Sequence, residues 1–125
     1  MLALSPSATI YFCTQPTDMR KGFDGLLALI QGHLEQNPFA GGLYVFVNRR
    51  RDRLKLLCWE GDGAGVYYKR LESGSYQFPT ASPDQKSLML SATDLSLILN
   101  GIDLKSVKRR KRYQQAPPQE AEVKS

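Results

Sequence analysis

Cysteine, histidine and tryptophan are scarce in this chain of 125 residues, at two, one and one. Cys13 and Cys58 are too few and too far apart for a disulfide framework or a zinc site. Both sit in apolar, strand-like runs, where cysteine behaves as a small buried hydrophobe. His33 stands alone on a helical stretch with no nucleophile or ligand spacing around it, which argues against a Ser/His/Asp or Cys/His site. No glycine loop has the strand-to-helix context or the lysine that phosphate cradling needs. No cofactor and no metal site is therefore expected. No stretch reaches the roughly 18 consecutive apolar residues needed to span a bilayer. The opening MLALSPSATIYF lacks the cationic start and cleavage pattern of a secretory signal, so a cytoplasmic protein is expected.

Carboxylates are spread thinly too. Asp52, Glu60 and Asp62 are the candidates for metal-assisted nuclease chemistry, which needs carboxylates converging on ions about 4 Å apart. Asp52 lies at the opposite end of its strand from the other two, about 25 Å away at the usual rise per residue, so the three cannot share a site. Glu60 and Asp62 read most simply as the acids of a glycine-rich turn. The chain is expected not to be an enzyme.

What is plentiful is positive charge, placed unevenly. Residues 1–104 carry ten Lys and Arg against ten Asp and Glu, whereas 105–113 carry six cations and no acid. The net charge of +5 thus resides in that short segment. With 42% hydrophobic and 10% aromatic residues, the length suits one core and hardly two. We divide the chain into a single α+β domain over 1–104, a basic arm over 105–113 and a tail over 114–125 whose composition suits disorder.

The fold class is legible in the patterning. Ala8 to Thr14 is β-branched and aromatic and predicts a first strand. Met19, Phe23, Leu26, Leu27, Ile30 and Leu34 recur at spacings of three and four after Pro16-Thr17-Asp18, predicting an amphipathic helix of about 18 residues that Asn37-Pro38 stops. LYVFVN, RLKLLCW and VYYKRLE then alternate with period two between turns, which predicts three antiparallel strands. Tyr76 to Pro79 reads as a short edge strand, Thr80 to Ser87 as a loop, and Ser91-Ala92-Thr93-Asp94 as the capping box of a second helix of about 10 residues with Gly101 at its C-terminus. The expected architecture is an antiparallel β-meander of four or five strands packed by one face on the long amphipathic helix, with the short second helix closing an edge.

The cations suggest a polyanionic partner. Arg49, Arg50, Arg51 and Arg53 crowd one turn, with Lys55 expected on the same strand face as Arg51 and Arg53 because side chains two apart point alike. Such arginines suit phosphates or a groove, and the competing reading is an edge turn kept soluble by charge. On the last strand Tyr68 and Arg70 share one side, and Tyr67 and Lys69 the other. Tyr68 is a candidate for base stacking if its face turns away from the helix, and core or cross-strand packing is the alternative. Lys105, Lys108, Arg109, Arg110, Lys111 and Arg112 form the arm, the usual footprint of phosphate attraction. Arg20 and Lys21, at the start of the first helix, hint weakly at an anionic partner.

Four blocks in order, MRKGFDGL, YVFVNRR, KLLCWEGDG and YKRLE, carry a resemblance. Over roughly residues 9–112 the chain resembles the TnpB-type accessory proteins encoded beside the transposase in insertion sequences of the IS-sixty-six family, not the RNA-guided nuclease of the same name. The resemblance implies a non-enzymatic partner in transposition whose element encodes a separate transposase. The expected function is accessory: DNA binding through the basic turn and arm, or docking on the transposase itself, or regulation through RNA. DNA and the transposase are the expected partners.

Overall fold

β1 (Ile10–Cys13) pairs in parallel with β2 (Leu43–Val47) in the computed structural model, which describes residues 8–101. Parallel neighbours cannot be joined by a tight turn, and the helical segment between these two supplies the crossover they require. β2 is antiparallel to β3 (Arg53–Trp59), and β3 to β4 (Ala64–Arg70). β5 (Ser87–Leu90) lies antiparallel against the other side of β1, so the order across the sheet is β4-β3-β2-β1-β5. The three alternating runs thus form the expected hairpins. The sheet as a whole is mixed rather than a wholly antiparallel meander. The difference arises at β1, whose long-range pairing with β2 no local pattern encodes. The expected edge strand also moves: Tyr76 and Phe78 are buried in irregular chain, and the edge beside β1 is β5.

The first helix is shorter than its apolar spacing predicts. α1 (Phe23–Ala28) continues into a π-helical turn over Leu29–His33, where the Leu34 amide donates to the Leu29 carbonyl at 2.9 Å. Asp18 explains the late start. Its carboxylate accepts from the Arg20 amide at 2.9 Å and from the Arg20 guanidinium at 2.7 Å, so a local side-chain turn occupies the backbone that the helix needs. Gly22 then begins the helix without a side-chain cap. At the far end Glu35 takes a left-handed φ of 56°, which breaks the helix before Asn37-Pro38 is reached.

Both faces of the sheet are covered. On one, Leu26, Ile30 and Leu34 pack with Cys13, Tyr44, Phe46 and Leu57. On the other, Leu95 and Ile98 of α2 (Ala92–Leu99) join Ile10, Phe12, Val45, Leu54, Leu56, Tyr76 and Phe78. Phe12 and Phe78 stack with ring centroids 4.0 Å apart. The second helix lies over this face beside the edge strand β5. Its start is as expected: Ser91 Oγ accepts from the Asp94 amide at 3.0 Å, the Asp94 carboxylate accepts from the Ser91 amide, and Gly101 follows the helix at φ 84°.

Because β2 and β3 are sandwiched, they are apolar on both sides, apart from Lys55 and the terminal Arg53 of β3. On the α1 face only Val66 of β4 packs against the core, and Tyr68 and Arg70 beyond it are exposed, while Lys69 is exposed on the other face. No helix of the described residues is long and apolar enough to cross a membrane.

Candidate nucleic-acid interface

Asn48 organises the basic turn. Its carbonyl accepts from the Arg51 amide at 3.0 Å, its backbone amide donates to the Arg53 carbonyl at 3.2 Å, and its side-chain oxygen accepts from the Arg53 amide at 3.0 Å. Its side-chain nitrogen donates to the Asp52 carboxylate at 2.7 Å. That bond above all, with Arg50 and Arg53 close by, holds the Asp52 carboxyl below its usual range. Two further amides brace the loop from outside, Leu71 donating to the Asp52 carbonyl and Tyr76 to the Arg51 carbonyl, both at 2.7 Å. The turn is tied at both ends, so the arginines project from a fixed base.

They do not project together. Arg49 and Arg50 stand exposed at the tip. Arg51 takes a left-handed φ of 60°, and its guanidinium lies 5.7 Å from the Phe12 ring centre and 6.0 Å from that of Phe78, on the α2 side of the sheet. Arg53 goes to the other side, where it borders a groove of about 360 Å³ with Thr17, Asp18, Met19, Arg20, Asn48 and Tyr68. The expected common face of Arg51, Arg53 and Lys55 is thus corrected, since the two-residue rule holds within β3 and fails at Arg51, which lies in the turn. Among the described residues, none of Arg49, Arg50, Arg51 and Arg53 forms an ion pair with a carboxylate.

Lys55 turns inward. It is 9% exposed, and its ammonium donates to the Lys21 carbonyl at 2.7 Å and sits 4.7 Å from the Tyr68 ring centre. A carbonyl dipole and a π face thus replace part of the water that a buried ammonium loses. Its charge is engaged within the fold. Tyr68, directly across from it on β4, is 49% exposed and lies on the α1 side, so the orientation on which base stacking is made conditional, a face turned away from the helix, is not the one found. The ring is nonetheless accessible, because on this face of β4 the core reaches Val66 and Tyr68 lies beyond it.

Arg70 pairs directly across from Arg53 in the β3–β4 register, on the same side as Tyr68. Like charges so placed repel. Glu72 relieves Arg70 at 3.1 Å, but both side chains are well exposed and such a pair is weak. Lys69 is exposed on the opposite side of β4. Beside the groove, Arg20 grips Asp18, whose carboxyl it holds down to about 2, so that acid is charged and neutralised by the same partner.

The structure therefore brings together Arg49, Arg50, Arg53, Arg70 and Tyr68 around one end of the sheet. Lys55 lies beneath them, Arg51 reaches the reverse face, and Lys105, Lys108, Arg109, Arg110, Lys111 and Arg112 lie outside the described residues. Asn48 and Arg20 belong to the site and carry little sequence signal: Asn48 reads as the end of a strand, and Arg20 as part of a helix that starts later. Glu60 and Asp62 are at the other end of β3 from Asp52, and no cluster of three potential metal ligands occurs among the described residues. Burial raises the thiol pKa of both Cys13 and Cys58.

A family model described as IS66 Orf2 like protein matches residues 8–109. Two proteins of Sinorhizobium fredii (strain NBRC 101917 / NGR234) are similar to this chain. "Uncharacterized protein y4jC" is 37% identical over 110 residues, covering 88% of this chain and 92% of the relative. "Uncharacterized protein y4hO" is 35% identical over 103 residues, covering 82% and 88%. No solved structure matches.

Proposed function

The chain belongs to the IS66 Orf2-like family, which is associated with insertion-sequence transposition, and from that premise we propose that it is a non-catalytic accessory protein that binds DNA. The DNA lies across the β3–β4 end of the sheet, with Arg49 and Arg50 at the turn and Arg53 and Arg70 beside it reaching phosphates, and with the 105–112 arm adding sequence-independent attraction.

The observation that supports this most is the Arg53–Arg70 pair. Two arginines directly opposed on adjacent strands, on the face of the sheet that carries the exposed Tyr68, cost stability that the fold recovers when a phosphate lies between them. An edge kept soluble by charge does not need its cations to face one another. The titration that tests the proposal is duplex affinity against salt concentration. Arg49→Ala combined with Arg50→Ala is expected to weaken binding and to make the log–log slope shallower by roughly 2, one counterion for each lost phosphate contact. An unchanged slope removes the turn from the interface.

The transposase of the same element is proposed as the second partner. β4 is an edge strand of the sheet and offers a row of backbone groups to an added strand, although Lys69 and Arg70 restrict which strands fit. Co-purification of the two proteins after nuclease treatment checks this, and its absence counts against the edge as a docking surface.

A further inference from the structure

We infer that the groove beside Arg53 is a stacking site for an unpaired base, so that the chain takes single-stranded or locally opened DNA in preference to closed duplex. The inference rests on the DNA reading above and gives it a substrate class.

Three features of the groove carry it. First, the aromatic ring is presented rather than packed. α1 covers its face through Leu26, Ile30 and Leu34 against Tyr44, Phe46 and Leu57, with Val66 of β4 at the margin of that cluster, while Tyr68, two residues on, stays 49% exposed where its cross-strand neighbour Lys55 is 9% exposed. Second, the ring is held from beneath. The Lys55 ammonium, fixed by the Lys21 carbonyl at 2.7 Å, lies 4.7 Å from the ring centre. One face of the tyrosine is thus occupied by a buried cation, and the accessible part of the ring borders the groove. A cation on one face draws π density inward, which makes the outer face a poor seat for a second cation and a good one for an electron-rich base. Third, the groove, about 360 Å³, is lined by Arg53 as well as Tyr68, and Arg70 is the cross-strand partner of Arg53. An aromatic platform flanked by cations that track phosphates is the arrangement that captures a strand by base stacking and charge together.

Closed duplex cannot use that platform. Each base in it is already stacked on both faces, and only base edges and phosphates are offered to a ring fixed on a sheet. A base in a single strand, or one freed at an opened site, presents a face. Asp18 does not oppose the strand, because Arg20 neutralises it within the same groove.

The competing role for Tyr68 is a cover over Lys55, and the two roles separate by experiment. Affinities are measured by fluorescence anisotropy, at one salt concentration, for an oligonucleotide as single strand, as duplex, and as a single strand in which abasic sites replace several bases. The expected result for the natural chain is about 10-fold tighter binding of the intact single strand than of the duplex, and loss of that advantage with the abasic strand. Tyr68→Leu, which keeps an apolar cover on Lys55, is expected to bring the ratio to about 1, while Tyr68→Trp preserves it. Equal affinity of the natural chain for duplex and single strand overturns the stacking site and leaves the arginine contacts standing. So does indifference to the missing bases, which needs no variant protein. Failure to bind either form at low salt overturns the DNA reading itself. Tighter binding of RNA of the same sequence overturns the assignment to DNA.

Discussion

Arg53 and Arg70 show how a single cross-strand register ties stability to the proposed DNA contact. Facing each other across β3 and β4, they repel, and like charges so placed cost about 0.2–1 kcal/mol. Removing one should stabilise the isolated protein and harm binding. Arg70→Thr, which also suits a strand, is expected to raise the unfolding free energy by up to about 1 kcal/mol while weakening DNA affinity. Chemical denaturation and anisotropy on the same preparation check the two halves, and a variant that loses stability without losing affinity contradicts the assignment. Arg51 presents a different balance. A left-handed φ at a non-glycine residue costs on the order of 1 kcal/mol, and the fold keeps it because the Arg51 carbonyl accepts from Tyr76 and the guanidinium covers Phe12 and Phe78. Lys55 is the residue at which charge alone misleads. In the sequence it joins the basic cluster, yet its strand is sandwiched by packing on both faces, and its ammonium is held by Lys21 and Tyr68.

At the scale of elements, the short first helix depends on its packing. Six α-helical residues followed by a five-residue π turn fall well below the length at which an isolated helix is stable in water. Ile30 is fully buried against the sheet, and Ile30→Ala is expected to cost about 2–5 kcal/mol, read as a lowered denaturation midpoint with an unchanged slope. A cost below 1 kcal/mol would mean that the helix is held by something other than this face. The hairpins were legible in the sequence because short runs of strand-forming residues are punctuated by a charged turn at Asn48 to Asp52 and a glycine-rich one at Glu60 to Gly63, and α2 because Ser91 and Asp94 state a capping box. The helix start was not, since Asp18 diverts the backbone into a side-chain turn on Arg20 while the apolar spacing from Met19 runs on uninterrupted. β5 was missed because four residues, Ser87 to Leu90, carry too little alternation to stand out after a polar loop. The parallel β1–β2 pairing follows from the crossover connection, a relation between distant segments that no local window contains. Of the site, the arginine-rich turn was legible as composition. Its division between two faces was not, because it depends on one left-handed residue in a loop without glycine.

On the scale of the whole molecule, charge is balanced over residues 1–104 and the excess is confined to 105–113. A body without net charge attracts a polyanion only where its cations are grouped, and the β3–β4 end groups Arg49, Arg50, Arg53 and Arg70 around an exposed tyrosine. The opposite end of β3 carries Glu60 and Asp62, with Phe39 packed edge-on against Trp59 at a centroid distance of 4.9 Å. The domain therefore has a basic end and an acidic end, and the account requires DNA to choose the first. Backbone amide shifts followed by NMR while DNA is added test this most directly. The account predicts progressive shifts at Asn48 to Arg53 and at Tyr67 to Arg70, with Trp59 to Gly63 unmoved. Shifts confined to the Trp59–Gly63 end, or absent from the 48–53 turn at saturating DNA, would contradict it.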